Sequence, residues 1–330
     1  MATSRLSKRW PGIAGLPRLS LVDGPTTIVH LDTISDRCGA DVWCKRDDQS
    51  SACVGGNKVR KLEWLLADLR DRHVDAIITT GGTGSHFVLA AGRLAASYGI
   101  DTHALIVPQG PSKHADQVAM AHRRASIALH NVSLWEVPAR AALLFRRLQH
   151  QGHRPAWIGP GGSSPIGNLG FVEAGLELAA QIEDGSVPEP EEIWIAFGSG
   201  GSAIGLAIGL AALGITSRVM AVRVASRTIA HRPYVQASVS RTVGLLRRAD
   251  PTFPDVTHQA TRLVSLVHDA VGSGYGYETS EGTEARQLAA HDSLAVDPTY
   301  TAKTLAALLR RSRSKRCLYW HTLPDLRTVF

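Results

Sequence analysis

The chain has 330 residues, 44% hydrophobic and 20% charged, with a formal net charge of +7. That length supports one large or two modest cores. Near-zero mean hydropathy, and no run approaching the roughly 18 apolar residues of a membrane span, exclude disordered, fibrous and membrane-spanning classes. The basic clusters Arg146-Arg147 and Arg310 to Arg316 lack interleaved aromatics, so they read as solvated helix ends and imply no nucleic-acid partner.

In chain order, the basic N-terminus has its first acid at Asp23 but no apolar core of a signal peptide. Pro11 and Pro17 interrupt any targeting helix, so the expectation is a segment that belongs to the fold of a cytoplasmic protein. Cys38, Cys44, Cys53 and Cys317 form no CxxC pair and no zinc spacing, so reduced thiols and no metal are expected.

The first chemical motif is Gly55-Gly56-Asn57-Lys58-Val59-Arg60-Lys61. Two glycines permit a tight turn, and the apolar positions Val59, Leu62, Leu65, Leu66 and Leu69 predict a helix beginning at once. Lys58 falls on its first turn, where the positive end of the helix dipole lowers an amine's proton affinity and favours nucleophilic chemistry. Read alone, the same pattern also fits a surface lysine beside a turn.

A strand over Asp75–Thr80 then leads through Thr80-Gly81-Gly82-Thr83-Gly84-Ser85-His86 into a helix over His86–Tyr98. Ser85 and the amides after it form a helix N-terminus suited to a carboxylate or phosphate, or simply an N-cap. The spacing next predicts a strand over Thr102–Pro108, a helix over Gln117–Arg124, and strands over Ser133–Val137 and Ala156–Ile158. Gly159 to Pro165 marks a crossing between two domains. A helix over Phe171–Ile182, a strand over Glu192–Phe197 and a helix over Ser202–Leu213 follow, then strands over Arg218–Ala225 and Cys317–Trp320. Strand–helix alternation with continuous apolar strands predicts parallel sheets in an α/β protein.

The third glycine loop, Gly198-Ser199-Gly200-Gly201-Ser202, lies at a strand–helix junction and offers converging N–H groups and two hydroxyls to a phosphate. With Ala203 it also matches a dinucleotide fingerprint, but 218–227 contains no acid for a ribose.

Together these loops resemble the fold-type II pyridoxal-phosphate (PLP) enzymes, and specifically the 1-aminocyclopropane-1-carboxylate (ACC) deaminase and D-cysteine desulfhydrase family. The likeness runs in order through Lys45-Arg46-Asp47-Asp48, Gly56 to Glu63, Ile158 to Ser163, Gly167 to Val172 and Gly198 to Ser202. It continues through Tyr275-Gly276, Glu281-Gly282 and Asp297-Pro298-Thr299-Tyr300-Thr301-Ala302-Lys303.

The resemblance implies a two-domain fold like the tryptophan synthase β chain. Residues 1–52 and 164–330 would form the larger, PLP-binding domain, and 53–163 a smaller inserted one. It implies a homodimer, and Lys58 as the Schiff-base lysine. It places Ser85 on the substrate carboxylate and Tyr275 and Tyr300 beside the substrate. Asn57, His86, Ser199, Gly200, Gly201, Ser202 and Thr301 would hold the cofactor.

Thr301 falls at the expected partner of the pyridine nitrogen. The ACC deaminases carry Glu there and the desulfhydrase branch Thr, which tilts the reading towards β-elimination. Lys58 would take the Cα proton of a small amino acid, a β thiolate would leave, and hydrolysis would give a keto acid and ammonia. ACC ring opening, β-replacement in biosynthesis, and a catalytically silent PLP-fold binding protein are the alternatives. Three departures stand out: Ser85-His86-Phe87 replaces the family's usual Ser-Asn-His or Ser-Asn-Gln, Leu323-Pro324 replaces a glycine pair, and Ala302 replaces a glycine.

Overall fold

The structure is a computed structural model describing residues 4–323, so Pro324 lies outside the described residues. Ten strands form two sheets. They are β1 (Ile28–His30), β2 (Asp41–Arg46), β3 (Ala76–Gly82), β4 (Asp101–Val107), β5 (Ile127–Asn131), β6 (Pro155–Ile158), β7 (Glu192–Phe197), β8 (Arg218–Arg223), β9 (Val264–Val267) and β10 (Arg316–His321). The larger sheet has the order β1-β2-β10-β7-β8-β9, and the smaller β5-β4-β3-β6. Every pairing is parallel except that of β1 with β2. Helices pack on both faces, as the continuous apolar strands require.

One of the expected strands is displaced, and β1, β2 and β9 lie outside those expected. Ser133–Val137 is not extended: Leu134–Glu136 is a short 3-10 turn, and the strand lies earlier, at β5. The reason is local. Ser133 and Glu136 form a capping box, with Ser133 N donating to Glu136 Oε2 at 2.8 Å, and that pairing starts a helix rather than a strand. The N-terminal segment packs into the fold. Glu173 accepts backbone hydrogen bonds from Arg5 and Leu6, and Leu6, Trp10 and Ile13 are buried in the core.

The apolar, glycine-rich helix Gly201–Ala212 lies against the helix Pro165–Glu183. A β-carbon at Gly205 would meet Asn168 O at 2.3 Å, and one at Gly209 would meet Val172 O at 2.4 Å. The glycines there are sites of close backbone approach.

A buried ionic cluster ties the helix Lys58–Asp71 to the larger sheet. Arg60 grips Asp47 with two bonds, Nε to Oδ2 at 3.0 Å and Nη2 to Oδ1 at 2.8 Å. It also donates to both carboxylate oxygens of Glu177 at 2.9 Å. Lys45 Nζ donates to Glu177 Oε1 at 2.6 Å and to Gln181 Oε1 at 2.6 Å, while Trp320 Nε1 donates to Asp47 Oδ2 at 2.8 Å. Burial alone would raise the Glu177 carboxyl, but the adjoining Arg60 and Lys45 charges overcome it and hold the group at about 2.

Two outcomes follow from this cluster. Arg60→Leu leaves buried Asp47 without its contacting countercharge and Glu177 with Lys45 alone, and urea unfolding should show a loss of about 3–5 kcal/mol. Glu177 has a depressed folded value, so its contribution is complete above its ordinary 4.5 and is lost as pH falls to about 2. The stability difference between wild type and Glu177→Gln should therefore shrink across that interval; a difference constant with pH contradicts the assignment.

Candidate active site

Lys58 is the first residue of its helix, following Asn57 at the cap. Asn57 is held from two directions. Its amide N donates to Thr322 O at 2.9 Å, and its side-chain Nδ2 donates to Ser202 Oγ at 3.0 Å. These contacts place Lys58 between the glycine loop after β7 and the end of β10. The lysine opens onto a cavity of about 350 Å³ and, among the described residues, is the one lining residue with an ionisable ammonium. Burial pushes its amine down to about 8, against a smaller upward pull from Asp297. A sizeable neutral fraction at ordinary pH is the state a nucleophilic amine needs.

Lys303 also has its amine lowered to about 8, with burial the leading cause and Asp297 opposing. It does not line the cavity, and its Nζ donates to Val271 O at 2.7 Å and Gly274 O at 3.1 Å. Geometry therefore separates the two lysines where proton affinity does not.

Ser85 caps the helix His86–Ala96, accepting from Val88 N at 3.4 Å, and its side chain faces the cavity. A β-carbon on Gly81 would meet Ser85 Oγ at 2.4 Å, so the glycine makes room for that hydroxyl. Tyr275 and Tyr300 line the same space and join their hydroxyls in a hydrogen bond, the rings edge-to-face at 74°. Burial raises both phenols, so they are neutral at ordinary pH.

The glycine loop Gly198–Ser202 supplies the far wall. Gly200 adopts φ +85°, and a β-carbon there would run into the Phe197 ring at 2.5 Å. Behind the loop, Ser163 Oγ lies 2.7 Å from Ser199 Oγ and accepts from Gly201 N at 3.1 Å. Lys61 Nζ donates to Ser163 Oγ at 3.0 Å and Gly161 O at 3.2 Å. Asn57, Lys58, Ser85, His86, Ser199, Gly200, Ser202, Tyr275 and Tyr300 line one cavity.

Gly201 and Thr301 do not line it. Thr301 is 1% exposed, and its hydroxyl donates to Asp297 Oδ2 at 2.5 Å while accepting from Asp297 N at 2.6 Å. The structure bonds this hydroxyl to Asp297, whose carboxylate also accepts from Tyr300 N and Thr301 N. The lining hydroxyl on the β10 side is Thr322, which the sequence reading passed over. Lys61 and Ser163 were quoted within motifs, but nothing in their local pattern marked them as site residues.

A profile of pyridoxal-phosphate dependent enzymes matches residues 19–319. The chain belongs to that family. The D-cysteine desulfhydrase of Salmonella paratyphi B is 33% identical over 308 residues, covering 91% of this chain and 90% of that protein. The D-cysteine desulfhydrase of Salmonella newport matches to the same extent. Among solved structures, an ACC deaminase homologue superposes with a TM-score of 0.81 at 29% identity, over 98% of this chain and 95% of that one. Maize serine racemase shares the fold, with a TM-score of 0.61 at 18% identity over 98% of this chain and 97% of that one.

The residues fit the cofactor of a PLP enzyme. Lys61 is 1% exposed, yet among the described residues its partners are a carbonyl and a hydroxyl, and no acid. Burial and the nearby Lys58 hold its amine well below the usual lysine range. A buried amine beside converging N–H groups is a cradle that a phosphate dianion completes. A β-carbon on Gly201 would meet Asn168 Oδ1 at 2.3 Å, Ser163 Oγ at 2.5 Å and Lys61 Nζ at 2.7 Å. Gly201→Val should therefore weaken PLP binding by disordering this cradle. Lys61→Met, removing one charge-assisted hydrogen bond, should weaken it about 10- to 100-fold. Absorbance titration checks both, and unchanged affinity in either variant argues against a phosphate at this loop.

Proposed function

We propose that this PLP-dependent lyase is of the D-cysteine desulfhydrase type, releasing a keto acid and ammonia from a small amino acid with a leaving group on its β-carbon. The proposal includes an inserted domain over 53–163. The observation that carries it is Lys58, a cavity amine lowered to about 8 and faced by Ser85 and the Tyr275–Tyr300 pair.

Lys58, Asn57, Ser202 and the Gly198–Ser202 loop would hold the cofactor, with Lys61 behind its phosphate. When bound, PLP supplies an electron sink for the pair left at Cα when its proton departs. Ser85 Oγ and the N–H groups at its helix terminus are placed to bind the substrate carboxylate. Lys58 Nζ is the base for the Cα proton. The linked phenols of Tyr275 and Tyr300 orient the side chain of the substrate and offer a proton to a departing group.

Elimination is favoured over cyclopropane opening because, among the described residues, no acid lines the cavity. A hydroxyl such as Thr322 leaves a pyridine nitrogen largely neutral, and a weaker sink suffices where the β substituent leaves readily. The support from relatives is the 33% identity to proteins named D-cysteine desulfhydrase.

The test is a substrate panel with D-cysteine, L-cysteine, β-chloro-D-alanine, D-serine and ACC, following keto-acid release. Faster release from D-cysteine or β-chloro-D-alanine than from ACC is expected; faster turnover of ACC favours the ring-opening reading. Lys58→Ala should fold with the wild-type circular dichroism and lose release at least about a hundredfold, the usual scale for a positioned base.

A further inference from the structure

His86, expected beside the cofactor, is paired with His114, a contact that binding and elimination leave without a task. His86 begins the helix after Ser85, lines the cavity and is 6% exposed. Its Nε2 lies 3.1 Å from Nε2 of His114, the rings stacked at 22° with centroids 5.1 Å apart. His114 comes from the next helix, Lys113–Arg124, and is half-buried, so the contact leads from the cavity wall towards solvent.

A nitrogen-to-nitrogen bond needs one N–H and one lone pair. Two neutral imidazoles of unlike tautomer provide this, and so does an imidazole with an imidazolium. Burial lowers the proton affinity of both rings. The groups acting on His86 are His114, His122 and Lys58, all of which oppose its charge. Those acting on His114 are Asp297 and Glu278, which favour charge, and Arg286, which opposes it. His122 is already engaged, its Nε2 donating to Ser85 O at 2.9 Å. At neutral pH the pair is uncharged and holds one N–H between two nitrogens.

Few other groups on the cavity wall can exchange a proton near neutrality. Among the described residues, the lining polar side chains are hydroxyls, the Asn57 amide, Lys58, His86 and the two raised phenols. We propose that His86 and His114 are the proton relay between the cavity and solvent. A proton accepted by His86 on its cavity side is matched by release of a proton across the Nε2–Nε2 contact, and His114 passes one to water. The net change is one proton moved, with no redox partner. The proposal rests on the PLP-lyase reading, because that chemistry places the Cα proton on Lys58, which must shed it before the next turnover.

The test uses wild type, His114→Phe and His114→Gln. In the protein without cofactor, nitrogen NMR follows His86 through a pH titration. In the PLP-loaded protein, deuterium uptake at Cα of D-alanine, which carries no leaving group, is followed in heavy water. The relay predicts that His86 titrates coupled to His114 in wild type and as a single independent site in His114→Phe. It also predicts that Cα exchange slows at least about tenfold in both variants while PLP affinity stays within about twofold. Glutamine can keep the hydrogen bond but cannot pass a proton through a ring. Exchange restored by glutamine makes His114 a positioning residue and overturns the relay. Unchanged exchange in His114→Phe, or no exchange in wild type, overturns it too. A wild type that binds no PLP overturns the lyase reading, while the NMR titration still decides whether the two rings are coupled.

Discussion

The geometry depends on one guanidinium. Arg60 lies two residues after Lys58 on the same helix, buried between the carboxylates of Asp47 and Glu177. Asp47 follows the end of β2, and Glu177 sits on the long helix Pro165–Glu183. Neither acid is stable in the interior without a cation, and Arg60 is not stable without them. The helix start that bears Lys58 is therefore fixed against the larger sheet, while its apolar face packs with residues of the smaller one. The Lys58 amine is thereby held between the two sheets.

That anchoring permits an arrangement unfavourable in itself. Lys58, half-buried on the cavity wall, and the buried Lys61 are placed one helical turn apart at the positive end of a helix dipole, with no acid in contact among the described residues. In a structural core this would be a defect. In the function proposed here the lowered amine would be the nucleophile, and the second amine would supply charge for a phosphate. Asn57 links the two halves of the cradle by bonding to Thr322 O and Ser202 Oγ.

Much of this was legible in the sequence because it is local. Gly-Gly-Asn-Lys before an apolar helix, and glycine loops at strand–helix junctions, announce themselves within a few residues. What stayed hidden was long-range. β2 carries Lys45 on a buried position, so its alternation does not read as a strand until Glu177, 132 residues later, supplies the countercharge. Lys61 looks like any helical lysine until Gly161 and Ser163 close over it. Thr301 shows the converse: a motif gave its position, and only the fold shows Asp297 bonded to its hydroxyl. Ser133–Val137 was read by apolar content, while the capping box that defines it is a pairing of side chain and backbone.

The central claim is that Lys58, among several buried lysines, is the residue that binds the cofactor covalently. Reduction of the PLP-loaded protein with borohydride, followed by peptide mass spectrometry, measures this directly. The account predicts a single pyridoxyl label on Lys58. A label on Lys61 or Lys303, or a protein that takes up no label at all, would contradict it.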